Sequence, residues 1–276
     1  MAKIGRYNLL KVVKVLDFGI YLDGGKDGEI LMPKRYVPED CKTGDRIDAF
    51  IYLDSEDRII ATTETPLAQV GDFAYLKAVS INATGTFLDW GLLKDLLVPF
   101  REQKMSMQEG KFYIVYVYLD EGTRRIVASA KIEQFLDKSE PELEVGQLVD
   151  LLIYQKTELG FKAIINNQYS GMLYDNEIFQ PLTTGDRIIG YVKQVREDFK
   201  IDLILHKPGF DKVEDIAESI FIRLQEEGGF MAVTDKSPAE TIYELFGISK
   251  KTYKKAVGDL YKRRLIVIEE TGIRLT

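Results

Sequence analysis

A chain of 276 residues, 45% hydrophobic and 29% charged, is too long for one small core, and no stretch reaches the roughly 18 consecutive apolar residues that a membrane-spanning helix needs. One cysteine, Cys41, and one histidine, His206, exclude an internal disulfide and a Cys/His zinc cage, and any catalytic triad would depend on a single imidazole. The net charge of −7 opposes phosphate binding unless the cations are concentrated in one region.

The start, MAKIGRYNLL, lacks the charged, apolar and small-residue regions of a signal peptide, which predicts a cytoplasmic protein. A glycine frame then organises most of the chain. Gly5, Gly19 and Gly44 recur as Gly71, Gly85 and Gly110 and again as Gly146, Gly160 and Gly185, with intervals of 14 and 25 each time. The frame is that of a module present three times.

In the first module, RYNLLKVVKVL, DFGIYLD, EILMP, RIDAFIYLD and RIIATT are runs rich in Val, Ile, Leu and Tyr separated by Gly, Asp and Lys turns. They predict five strands, the number and spacing of a small Greek-key barrel. The second module repeats the order as FAYLKAVSI, TGTFLDW, DLLVP, KFYIVYVYLD and RRIVASAK. The third gives LVDLLIYQK, GFKAII, GMLYD, RIIGYVKQV and KIDLILH. Alternation in YIVYVYL and RIIGYVKQV predicts strands with one buried face. In DFGIYLD, alternation turns Ile20 and Leu22 inward and Tyr21 outward, and a bulge at Gly19 is expected to swing Phe18 out beside Tyr21. Two exposed neighbouring aromatics form a platform on which unpaired bases stack, at about 1 to 3 kcal/mol per base.

The segment VVKVLDFGIYLDGGKDGEILMP with the later TGD resembles the S-one-type RNA-binding OB-fold domain, named for the ribosomal protein; KDLLVP with EGK fits the same pattern, and SGMLYD with TGD fits it more loosely. The resemblance implies RNA contact by the aromatics that flank the glycine of the second strand, here Phe18 and Tyr21. The second module has Thr84 and Phe87 at those positions. The third has Leu159 and Lys162, and keeps Tyr174 where the family often has another ligand-contacting side chain. Lys11, Lys14, Lys34 and Arg35 surround the first module and are candidate phosphate contacts. Packing between modules is the alternative role for Phe18, Tyr21, Phe87 and Tyr174. Trp90 is expected to pack, Cys41 to be a surface thiol without function, and His206 to end a strand.

TTETPLAQ links the first two modules. The acidic DKSEPELE precedes the third and is the expected hinge. The expected divisions are 1–66, 67–137 and 138–209 for the three barrels and 210–276 for the tail.

The tail changes to helical spacing. In DKVEDIAESIFIRLQEE the residues Val213, Ile216, Ala217, Ile220, Phe221 and Leu224 form one stripe, and GGF ends the helix. A second helix is expected from SPAETIYELF, with Ser237 as N-cap and Pro238 at the first helical position, closed by Gly247. Ser249 is expected to cap a third helix whose inner face is Tyr253, Ala256, Val257, Leu260 and Tyr261. LIVIEE and IRLT then make a two-stranded hairpin. Three helices and a hairpin read as a winged helix-turn-helix. Lys250, Lys251, Lys254, Lys255 and Lys262, followed by Arg263 and Arg264, provide the concentrated charge that a nucleic-acid contact requires. A solvated helix face is the alternative.

The fold class expected is therefore multidomain and mainly β, with three five-stranded OB-fold barrels followed by an α+β winged helix-turn-helix domain. That order, with LILHKPGFDKVE and ELFGISKKTYKKAVGDLYKRRLI, resembles the conserved virulence factor B family of bacterial RNA-binding regulators. The resemblance implies a cytoplasmic, non-catalytic protein that binds RNA and influences gene expression. Single-stranded RNA is the expected partner. The alternative is a DNA-binding transcription regulator acting through the winged helix, with the barrels as protein-binding modules; a ribosomal partner is also open. Asp89, Asp95, Asp120 and Glu121 show no tight metal-ligand spacing, so neither a metal nor a cofactor is expected.

Overall fold

The structure, a computed structural model, describes residues 2–178, 181–205 and 213–276. His206 lies outside the described residues. Two compact units are present, Met1–Phe135 and Leu136–Thr276.

In the first unit, β1 (Tyr7–Leu16), β2 (Gly19–Asp23), β3 (Glu29–Pro33), β4 (Arg46–Leu53) and β5 (Ile59–Thr62) close into a barrel in the order β1-β2-β3-β5-β4. A second closed barrel follows, from β6 (Phe73–Ile81), β7 (Gly85–Asp89), β8 (Leu96–Pro99), β9 (Phe112–Leu119) and β10 (Ile126–Ser129). The second unit holds a third, from β11 (Leu148–Thr157), β12 (Gly160–Ile165), β13 (Tyr169–Tyr174), β14 (Arg187–Val195) and β15 (Ile201–Ile204). Closure removes the free sheet edges that five short strands would otherwise expose.

Alternation places side chains as expected on β2, where Ile20 and Leu22 are buried and Tyr21 is half-buried. The bulge is elsewhere. The register slips in β1, between Val12 and Lys14, while Gly19 pairs regularly with Leu16 and with Pro33. Equivalent slips fall between Ala78 and Ser80 and between Ile153 and Gln155. The glycine has a different cause. A Cβ on Gly19 would lie 2.3 Å from the Met32 carbonyl oxygen, and the same approach recurs at Gly85 with Val98 and at Gly160 with Leu173. A neighbouring strand passes too close for any side chain at this point of the module.

β4 departs from a one-faced strand. From Ala49 to Leu53 every residue is buried: Ala49 and Ile51 belong to the core of barrel 1, whereas Phe50 and Tyr52 join the core of barrel 2. There Phe50 meets the Trp90 ring edge-on at 5.8 Å, and the Trp90 indole donates to the Lys94 carbonyl at 2.6 Å. Trp90 therefore packs, as its sequence context suggested. The contact is strengthened by Val70 donating its backbone N–H to the Gly5 carbonyl at 2.9 Å. Cys41 is partly buried against the core of barrel 1, and burial, with Asp45 second, pushes its thiol up, away from a reactive thiolate.

After barrel 3, α1 (Val213–Glu226), α2 (Ala239–Phe246) and α3 (Lys250–Lys262) pack around Ile216, Ile220, Leu224, Ile242, Tyr253 and Leu260. Three details differ from the sequence reading. The strand β16 (Phe230–Met231) follows α1 and pairs with β18 (Ile273–Leu275), which also pairs with β17 (Ile266–Ile268), so the sheet has three strands. Pro238, not Ser237, is the N-cap of α2. The Ser237 hydroxyl instead accepts from the Thr234 N–H at 2.9 Å, closing the turn before the helix. Tyr261 is 55% exposed, because its position on the helical wheel lies at the edge of the buried stripe. Gly247 at φ 65° ends α2, and the Ser249 hydroxyl caps α3 by accepting from Thr252 N–H at 2.9 Å, as expected.

Candidate nucleic-acid interface

Phe18 lies in the turn joining β1 to β2, and its side chain is 57% exposed. Its carbonyl accepts from the Lys34 N–H at 2.9 Å, which fixes the turn against the end of β3. The rings of Phe18 and Tyr21 are 6.3 Å apart and nearly perpendicular. The slip in β1 sets Lys14 directly opposite Tyr21, and its ammonium sits 4.5 Å from the Tyr21 ring centre while pairing with Glu29 at 2.5 Å. The sequence thus placed three candidates, Phe18, Tyr21 and Lys14, in one cluster. Lys34 is exposed beside them. Arg35 is directed elsewhere, with its guanidinium 4.7 Å from the ring centre of Tyr36.

An exposed phenyl, a neighbouring phenol ring and an ammonium form a surface to which a base can add its face and a phosphate its charge. The equivalent positions of the other barrels lack this surface. In barrel 2, Thr84 replaces Phe18, and Phe87 is half-buried in a cleft beside barrel 1. In barrel 3, the Tyr174 hydroxyl accepts from Arg196 at 2.7 Å, and Arg196 also pairs with Asp202 at 2.9 Å. Tyr174 is therefore held in a network internal to that barrel.

The second cationic region is α3 and the residues after it. Lys250 donates to the Lys236 carbonyl at 3.2 Å and Lys254 pairs with Asp235 at 3.4 Å. Arg263 faces Asp259 at 3.4 Å and Glu218 at 3.8 Å. Lys251, Lys255, Lys262 and Arg264 are exposed and have no ion-pair partner among the described residues. The turn between β17 and β18 carries the exposed Glu270 and also Glu269, whose carboxylate pairs with Arg274 at 2.7 Å. No helix among the described residues is long and apolar enough to cross a membrane.

Sequence reasoning missed Asp57, Lys94 and Arg125 at the cleft beside Phe87. They come from two modules, and nothing in local spacing relates them.

Residues 4–64 and 70–131 match the S1 domain family, and residues 218–275 match the CvfB-like winged helix domain family. These are nucleic-acid-binding domains, and neither is an enzyme family. The conserved virulence factor B of Staphylococcus aureus strain USA300 is 24% identical over 99% of this chain and 94% of its own length. That of Staphylococcus epidermidis strain RP62A is 23% identical over 99% and 95%. The Bacillus subtilis protein YitL is 29% identical over 97% of this chain and 92% of its own. A solved multidomain protein with nucleic acid binding domains from Streptococcus pneumoniae is 22% identical, covers 99% of this chain and 98% of its own, and has a TM-score of 0.43. With paired S1 domains, a third barrel of the same topology, the matching winged helix and relatives aligned end to end, the chain belongs to the conserved virulence factor B family.

Proposed function

We propose that this protein is a non-catalytic regulator of gene expression that binds single-stranded RNA in the cytoplasm. Bases stack on Phe18 and Tyr21 of barrel 1, and phosphates are held by Lys14 and Lys34 and by the cations of α3. The observation that carries this reading is the exposed Phe18 ring beside Tyr21 and Lys14. A large aromatic left mostly in water, next to a second ring and a cation, has no internal packing role that would explain its position. Unpaired bases supply the flat, polarisable partner such a surface fits, whereas bases inside a duplex are already stacked.

A regulator that read duplex DNA through the winged helix would favour Arg, Asn or Gln at base edges, whereas α3 offers Lys. The test is binding of a labelled oligouridylate to the full chain and to the Phe18→Ala, Tyr21→Ala double variant. Loss of two stacking contacts weakens binding by about 2 kcal/mol or more, on the order of thirtyfold. An affinity equal to that of the unmodified chain rules the platform out.

A further inference from the structure

The cleft where barrel 1 meets barrel 2 has a volume of about 310 Å³, at the lower end of the roughly 300–1,000 Å³ of small-ligand sites. Leu53 of barrel 1 and Leu97 and Ile126 of barrel 2 give it apolar walls. Phe87 presents its ring, and Trp90 lines the same space. The mouth is charged. Asp57, at φ 61° in the turn between β4 and β5, reaches from barrel 1 to two cations of barrel 2. Its Oδ1 faces the Lys94 Nζ at 3.2 Å, and its Oδ2 accepts from the Arg125 Nε at 3.1 Å and also from Nη2 of the same guanidinium. Lys94 is held in place by a second bond, to the Asp54 carbonyl at 2.6 Å.

A carboxylate gripped by an arginine and a lysine beside an aromatic ring occupies the position that a phosphate would take. We propose that this cleft is a nucleotide-binding site, with a base between Phe87 and the apolar walls and a phosphate between Lys94 and Arg125 in place of the Asp57 carboxylate. Asp57 is an internal competitor that keeps the two cations compensated while the cleft is empty. Asp95 also lines the space, where its carboxylate can accept from a base N–H, and every RNA base carries at least one such donor. The site requires both barrels, since Asp57 and Leu53 come from one and the ring and cations from the other. It rests on reading the barrels as nucleic-acid modules but uses none of the platform residues, so the two can fail separately.

Trp90 is the only tryptophan in the chain and lines the cleft, so its fluorescence reports occupancy. The full chain is titrated with guanosine monophosphate, with uridine monophosphate and with a short oligouridylate. The expected result is a saturable Trp90 response whose midpoint weakens by about tenfold in Phe87→Ala and in Arg125→Gln. For the two mononucleotides the midpoint tightens several-fold in Asp57→Asn and is unmoved in Phe18→Ala, Tyr21→Ala. A response to the oligonucleotide alone, weakened likewise by Phe87→Ala and by Arg125→Gln, assigns the site to a nucleotide within a strand instead of a free one. Arg125 is exposed, so its variant keeps the fold even if Phe87→Ala does not. Absence of a saturable response to all three probes, or a response that Arg125→Gln leaves unchanged, overturns the proposal.

Discussion

The sharpest consequence of the charge distribution concerns salt. Lys251, Lys255, Lys262 and Arg264, in α3 and just after it, are exposed and without an ion-pair partner among the described residues, and are therefore free to displace counterions from a phosphate chain. For single strands each such contact contributes about −0.7 to the slope of log affinity against log salt, so four contribute about −2.8. Between about 50 and 200 mM salt that amounts to roughly a fiftyfold loss of affinity from these residues alone. Replacing all four by glutamine keeps helix propensity nearly unchanged but removes the charge. Lys262 and Arg264 also lie at the C-terminal end of α3, so the variant loses about 0.3–1 kcal/mol of dipole stabilisation at each. A thermal melt therefore accompanies the binding series. Fluorescence anisotropy of a labelled oligouridylate across a potassium chloride series should give a slope shallower by about 2.8, while the melt stays cooperative with a midpoint lowered by about a few degrees. A variant that melts cooperatively and keeps the full slope refutes the assignment of phosphate contacts to α3.

Gly19→Ala forces a Cβ to within 2.3 Å of a backbone oxygen that cannot rotate away, so the urea midpoint should fall by the equivalent of about 1–3 kcal/mol; an unchanged midpoint would remove the close-approach explanation of the glycine frame. Phe50 is fully buried against Trp90, and Phe50→Ala should cost about 3–5 kcal/mol. Because that core joins two barrels, Trp90 fluorescence and backbone circular dichroism of the first unit should lose stability together, and a loss confined to one barrel would contradict the shared core. The Arg125 hydrogen bond, assisted by Lys94 and opposed by a smaller desolvation cost, holds the Asp57 carboxyl below its ordinary value of 3.8. A depressed folded value means that the ion pairs contribute fully above 3.8 and are lost as the pH falls through the folded value. Acid titration at low salt should therefore show a Trp90 step below 3.8 that Asp57→Asn lacks. An identical step in the variant would assign it to another group.

The sequence by itself determined the modules, their strands and the helices of the tail, because each of these depends on a local requirement with a fixed place in the chain. Gly19, Gly85 and Gly160 recur because a neighbouring strand leaves no room for a Cβ, and Gly247 and Ser249 mark helix ends because the terminal backbone groups need a left-handed residue or a hydroxyl. The pair Phe18 and Tyr21 was legible in part: alternation turned Tyr21 outward, whereas Phe18 was expected outside through a bulge at Gly19 that lies in β1 instead. The extra residue lies in KVVKVL, where runs of valine and lysine fit either register and only pairing with β2 decides between them. Phe87 and Tyr174 looked equivalent to barrel 1's aromatics, yet Phe87 faces a second barrel and Tyr174 is bonded to Arg196, outcomes set by residues 22 or more positions away. Tyr261 fell outside the core because a helical stripe is bounded by what packs against it, which periodicity does not contain. The charged mouth of the cleft is the extreme case. Asp57 and Arg125 are 68 residues apart, and their meeting depends on Phe50 and Tyr52 turning outward from one closed barrel into the core of the next, a contact between surfaces that no local pattern encodes.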